Sequence, residues 1–191
     1  SIADHYTQIA SAIRGTIREK YWDATRGLFA DTYDHRSFSQ HVNSLAILAG
    51  IVTGEEATRV MERTLNDSSL IQATIYFRYY VHQALKVAGM GDHLLDNLQI
   101  WRDQMALGLT TWAEMPEPTR SDCHAWGASP NIEFFRILLG IDSNAPGFKS
   151  IRIAPSLGDL KEVSGTMPHP VGSVTASYKL DKKGKLTARL I

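Results

Sequence analysis

The apolar residues of this chain change their period once, near residue 142, and do not change back. Before that point they recur every three or four residues, the spacing that collects side chains on one face of a helix. Ile2, Tyr6, Ile9, Ile13 and Ile17 predict a helix over about 2–20, and Asp23 through Asp34, with Gly27, reads as a loop. Ser39 is placed to cap a second helix whose buried surface is Val42, Leu45, Ala46, Ile47 and Ala49, with Gly50 near its end. Thr53-Gly54-Glu55-Glu56 opens a third through Val60, Met61 and Leu65. The stretch from Ala73 to Ala88 is apolar enough to be packed on much of its circumference, and Gly89 and Gly91 break it. Leu94, Leu98, Trp101 and Met105 predict a helix ending near Gly108. Phe134, Phe135, Leu138 and Leu139 predict one ending at Gly140, with Pro130 tolerable only in its first turn.

After the change the pattern alternates. Ile151–Ala154, Val163–Met167, Val171–Leu180 and Leu186–Ile191 read as strands, the last two joined by the charged turn Asp181–Lys185 with Gly184 available for positive φ. The expected fold is therefore mainly α, with residues 1–142 helical and 143–191 a small, incomplete antiparallel β-sandwich domain. Successive antiparallel helical hairpins suggest a toroid or a bundle, and the lack of βα alternation argues against TIM-barrel and Rossmann architectures. Four strands leave an open sheet with a pairing edge unless something covers it.

Lys plus Arg and Asp plus Glu are each 20, so the formal net charge is zero and no general electrostatic attraction draws the chain to nucleic acid or an anionic membrane. Neither is an expected partner. No apolar run approaches a membrane span. The single Cys123 excludes an intrachain disulfide and leaves the compartment open among periplasm, exterior and cytoplasm. No P-loop, dinucleotide fingerprint, GxSxG elbow or HExxH occurs, and adjacent Cys123 and His124 do not reproduce zinc-ligand spacing, so neither cofactor nor metal is expected.

Between the last two helical patterns lies the densest chemistry: Thr110-Thr111-Trp112-Ala113-Glu114, then Arg120-Ser121-Asp122-Cys123-His124-Ala125-Trp126. Indole faces cover the C–H surfaces of a sugar, while charged groups address hydroxyls and a leaving group. Met115-Pro116-Glu117-Pro118 restricts the backbone after Glu114, which suits a carboxylate held toward a cleft. Each residue also has a plainer reading. Glu114 suits a cap or surface ion pair, His124 a structural hydrogen bond, Arg120 and Asp122 a mutual loop-stabilising pair, and Trp112 and Trp126 a core.

At this cluster the chain resembles the C-terminal part of bacterial α-L-rhamnosidases, an inverting (α/α)6-barrel glycoside hydrolase family. The resemblance runs in order through Tyr76-Phe77-Arg78-Tyr79-Tyr80, the Thr110–Glu114 run, Cys123-His124-Ala125-Trp126 and Leu139-Gly140-Ile141. It continues through Ala145-Pro146-Gly147-Phe148 and Ile153–Leu160. It implies that residues 1–142 are part of the barrel and 143–191 part of a C-terminal β domain. Glu114 is then the general base, and His124, Trp112, Trp126, Arg120 and Asp122 contact the sugar. Inversion also needs an acid on the opposite side of the bond, and the resemblance places that acid far upstream. The expected partners are thus a rhamnoside or related carbohydrate and an upstream portion of the same polypeptide, with self-association through exposed barrel surface as a further expectation. A chain lacking the acid is expected to be inactive alone. A noncatalytic carbohydrate-binding module and a purely structural helical domain are the competing expectations.

Overall fold

The computed structural model describes residues 1–191, and the chain divides into two compact units, Ser1–Met90 and Gly91–Ile191. Six α-helices precede an open antiparallel sheet, the mainly helical then β order that the change of period predicts. No helix is long and apolar enough to cross a membrane.

In the first unit, α1 (Ile2–Tyr21) starts at a capping box in which Ser1 and Asp4 satisfy each other's backbone N–H groups. Its apolar stripe forms as expected but is not covered: Ile2 is 79% exposed, and Tyr6, Ile9 and Ile13 are exposed too. The helix is held instead by polar groups, with Arg14 Nε donating to Ala49 O at 2.7 Å and Arg18 pairing with Glu56 at 2.5 Å. The expected loop after α1 contains a two-stranded hairpin, β1 (Trp22–Asp23) against β2 (Leu28–Phe29). Two residues per strand are too few to show an alternation. Ser39 caps α2 (Gln40–Leu48) by accepting from Val42 N, and α3 (Gly54–Asn66) and α4 (Arg78–Val87) follow. The last begins five residues later than the apolar pattern suggests, because the chain ahead of it is held extended. Ile71 forms a parallel bridge with Ser39, and Ala73 N donates to the buried Gln40 side chain at 3.0 Å.

In the second unit, two short 3₁₀ turns (Gly91–His93 and Leu95–Leu98) lead into α5 (Gln99–Ala106). A long connection precedes α6 (Pro130–Glu133), where Pro130 occupies the first turn and forfeits no intrahelical bond. The helix continues as a π-helical turn, Phe134–Leu138, and ends at Gly140 with φ +67°. There the chain turns directly into β3 (Ile141–Ser143), which pairs antiparallel with β4 (Ile151–Ile153). Strands β5 (Glu162–His169), β6 (Gly172–Leu180) and β7 (Leu186–Leu190) form a separate meander in that order.

Leu139, Ile141, Ala176 and Tyr178 make the buried core of this part, with Phe135, Val163, Met167 and Val174 against it. Register puts Leu186, Ala188 and Leu190 opposite Leu180, Tyr178 and Ala176, hence on the same face as that core, yet Leu186 and Leu190 are exposed. Within this packing Tyr178 Oη donates to Leu139 O at 2.9 Å, and an added Cβ at Gly140 would lie 2.1 Å from the Ala154 carbonyl carbon.

Two substitutions test this junction by denaturant unfolding, Gly140→Ala and Tyr178→Phe, with Gly50→Ala as a control away from it. Gly140→Ala combines a positive φ with a backbone clash and is expected to cost about 2 kcal/mol or more. Gly50→Ala, at φ +66° in open space, is expected to cost about 1 kcal/mol. Tyr178→Phe leaves Leu139 O without its buried donor and is expected to cost about 1–2 kcal/mol.

Candidate functional site

The segment between α5 and α6 carries every residue that the sequence singled out for chemistry. It has no ladder of its own but closes on itself as a neck. His124 N donates to Trp112 O at 2.7 Å, and Glu114 N donates to Ser121 O at 2.9 Å. Thr111 Oγ1 adds a bond to Asp122 O at 2.5 Å. The excursion beyond the neck, residues 115–120, is tightened by Thr119, whose N–H donates to Glu117 Oε2 at 3.2 Å and whose hydroxyl donates to Ser121 O at 3.0 Å.

The neck is fastened to α5 by two side chains one helical turn apart, neither of which sequence reasoning assigned to the site. Gln104 is 5% exposed, and its carboxamide accepts from Ala113 N at 2.9 Å and donates to Ala113 O at 3.4 Å. Trp101 is 3% exposed, and its indole N–H donates to Gly127 O at 2.6 Å. Trp101 reads in sequence as a core position of the helical stripe, which it also is. Gln104 carries no sequence signal, because a glutamine beside an apolar stripe is ordinarily a solvated one.

Across the neck, Arg120 grips Glu114 in a two-pronged pair. Nε donates to Oε2 at 2.6 Å, and Nη2 donates to Oε1. The Glu114 side chain is 12% exposed and that of Arg120 79%. The hydrogen bonds from Arg120 hold the Glu114 carboxyl below its ordinary range. Burial opposes that shift, and the charges of Arg120 and His124 add to it. The guanidinium is correspondingly raised by the hydrogen bonds and charge of Glu114. Proximity to tryptophan therefore does not raise the pKa of this glutamate; the guanidinium wins. Arg120 is thus committed to Glu114 and not to Asp122, whose exposed residue joins the neck through its backbone carbonyl.

The two indoles take different positions. Trp126 is 68% exposed, with its ring 6.0 Å from that of half-buried His124 in an edge-on arrangement. Trp112 is half-buried and forms one wall of an apolar pocket of about 300 Å³ shared with Leu98, Trp101, Met105 and Phe134. Glu114, Arg120 and His124 are therefore brought together, with Trp126 beside His124. Trp112 is joined to them through the backbone while its ring faces the pocket. Chemically, the cluster offers an ionised carboxylate, a guanidinium largely in solvent, an imidazole and an exposed aromatic face.

Residues 140–190 match the model of the bacterial alpha-L-rhamnosidase C-terminal domain. The fold extends the likeness over most of the chain. It superposes on a native α-L-rhamnosidase from Aspergillus terreus with a TM-score of 0.75 and 19% identity, covering 98% of this chain and 23% of that one. The α-L-rhamnosidase from Dictyoglumus thermophilum gives 0.75 and 18%, covering 94% and 22%. A rhamnosidase from Klebsiella oxytoca with rhamnose bound gives 0.64 and 20%, covering 71% and 29%. The chain has a rhamnosidase-like fold. It spans less than a third of the length of each of these structures. Comparison with curated proteins gives no match.

The Arg120 pair generates a test. Its sign follows from the lowered carboxyl: the stabilisation is present above the ordinary glutamate range and is lost as pH falls through the lower folded-state value. In Arg120→Met the Glu114 carboxyl should titrate at a higher pH than in the parent chain, followed by carboxyl NMR. An unchanged titration would show that the pair does not govern the charge of Glu114.

Proposed function

We propose that this chain is the base-bearing side of an inverting glycoside hydrolase that cleaves terminal α-L-rhamnosyl linkages. In this reading residues 1–142 belong to an (α/α)6 barrel, residues 143–191 begin its C-terminal β domain, and the opposing acid comes from an upstream portion of the same polypeptide. The observation that carries the reading is the state of Glu114: an ionised carboxylate fixed at a closed neck, beside an imidazole and an exposed indole. The rhamnosidase-like fold supports the sugar class.

The roles follow from inversion. Water attacks the anomeric carbon from the face opposite the leaving oxygen, and a base on that face removes its proton as the bond forms. Glu114 is that base. The Arg120 arm, 79% exposed, swings away as sugar hydroxyls take over its hydrogen bonds to Glu114. Its departure removes the main influence lowering the carboxyl and makes Glu114 a stronger base when sugar is bound. His124 orients a sugar hydroxyl or the attacking water, Trp126 covers an apolar face of the ring, Trp112 lines the neighbouring apolar wall, and Asp122 takes a peripheral hydroxyl. The uncovered stripe of α1 supports packing against upstream polypeptide or self-association. The 68% exposure of Trp126 also favours a second reading, noncatalytic carbohydrate binding, in which Glu114 serves only the neck.

The two readings separate kinetically. In the polypeptide that includes the upstream portion, Glu114→Gln should lower kcat by about 10²–10⁴-fold while KM for a terminal rhamnoside moves only a few-fold. The 191-residue chain alone should give no turnover. Equal losses in binding and rate would favour the binding-module reading, and a product released with retained anomeric configuration would rule out inversion.

A further inference from the structure

From the way α5 meets the neck we infer that Gln104 is a positioning residue for Glu114, acting through the Ala113 peptide. The inference rests on the base reading of Glu114 for its consequence in catalysis, but not for its geometry. Ala113 precedes Glu114 directly, and its two backbone polar groups are both paired to the Gln104 carboxamide, at 2.9 and 3.4 Å. The N–H lies in the Trp112–Ala113 amide and the C=O in the Ala113–Glu114 amide, so the two amides leading into Glu114 are both held from α5 and the direction of the Glu114 Cα–Cβ bond is set there. The second arm is set from the same helix. Trp101, three residues earlier and so on the same face, holds Gly127 O at 2.6 Å, three residues beyond His124. One rigid element therefore sets the carboxylate arm and the imidazole arm in a common register, which the neck bonds at Trp112–His124 and Glu114–Ser121 complete.

A carboxamide is the side chain this task requires. It donates and accepts at once in one plane, as the backbone does, and carries no charge into a buried position. A leucine of similar volume keeps the packing but neither bond. A glutamate keeps both only while protonated, since the ionised form has no donor and sets an oxygen against Ala113 O. That difference provides a readout which a merely space-filling role would not move.

The test uses amide hydrogen exchange and carboxyl NMR on the 191-residue chain, with turnover measured on the polypeptide that includes the upstream portion. In Gln104→Leu, exchange at Ala113 should rise about tenfold or more while β6 amides stay protected, and Glu114 should titrate closer to an ordinary glutamate as its grip on Arg120 loosens. In Gln104→Glu, the ionised carboxyl still accepts from Ala113 N but repels Ala113 O, so protection of the Glu114 amide, which shares a peptide unit with Ala113 O, should match the parent chain in acid and fall as the introduced carboxyl ionises. In the longer polypeptide, Gln104→Leu should lower kcat with little change in KM. Unchanged Ala113 exchange in a folded Gln104→Leu chain would overturn the inference. So would a Gln104→Glu chain that fails to regain protection in acid, whether or not the leucine variant folds. Loosened exchange together with full turnover in both Gln104→Leu and Glu114→Gln would leave the positioning intact and sink the base reading instead.

Discussion

Three buried carboxamides do in this chain what sheet ladders do elsewhere. Asn43 accepts from Phe29 N at 2.8 Å and donates to Phe29 O and Ser39 O, fixing β2 against α2. Gln40 accepts from Ala73 N and donates to Thr64 O, tying the approach to α4 to the end of α3. Gln104 does the same for Ala113. Each stands on a helix and satisfies extended backbone that has little or no strand to pair with. An unpaired buried peptide group costs about 1–3 kcal/mol, so these side chains decide where non-helical segments lie close to the helices. The helices pack by their apolar faces, and the connecting segments are placed by amides.

This division explains how a long connection holds a charged group steadily. Residues 107–129 are held at the neck by backbone bonds, and the Arg120 end of the Glu114–Arg120 pair stands largely in solvent. The position of Glu114 is therefore set by neutral, buried bonds to its backbone, and its charge by an exposed cation. Placement and ionisation are controlled by separate groups. Loss of Arg120 is expected to alter the titration of the carboxylate while the neck bonds remain, whereas loss of Gln104 loosens the neck and, with it, the grip of the guanidinium.

The period of the apolar residues made the helices, the switch to β structure and the three long strands legible in sequence, because each extends over enough residues for its spacing to show. β4 showed its alternation in Ile151-Arg152-Ile153, whereas β1, β2 and β3, two or three residues each without such a pattern, were not legible, and their pairing is fixed by tertiary contacts. The stripe of α1 was legible as an apolar face, but spacing says nothing of what covers it. At the site, the concentration of Trp112, Glu114, Arg120, His124 and Trp126 was visible as composition, and their neck was not. Arg120 taking Glu114 over the nearer-in-sequence Asp122 depends on the Glu114 N–Ser121 O closure, which folds residue 120 back across the loop. Gln104 gave no signal at all. A glutamine acquires meaning only when the peptide facing it is known.

The carboxylates around Glu114 bear on where its counterpart comes from. An inverting pair needs a second carboxyl that is protonated, reaches the leaving oxygen, and stands about 6.5–9.5 Å away with room for water between. Glu117 is turned into its own loop, accepting from Thr119 N. Glu133 is fully buried within α6 and closed to any sugar. Asp122 stands exposed to solvent and joins the neck through its backbone carbonyl. The neighbours of Glu114 that do carry protons are cationic or weakly acidic side chains, a guanidinium and an imidazole, and both act on the carboxylate by favouring its ionised state. These neighbours keep the Glu114 carboxyl unprotonated, and its affinity for a proton rises only when the guanidinium leaves it. On the proposed reading, the donor belongs to an upstream portion of the same polypeptide, on the opposite side of the bond to be cleaved.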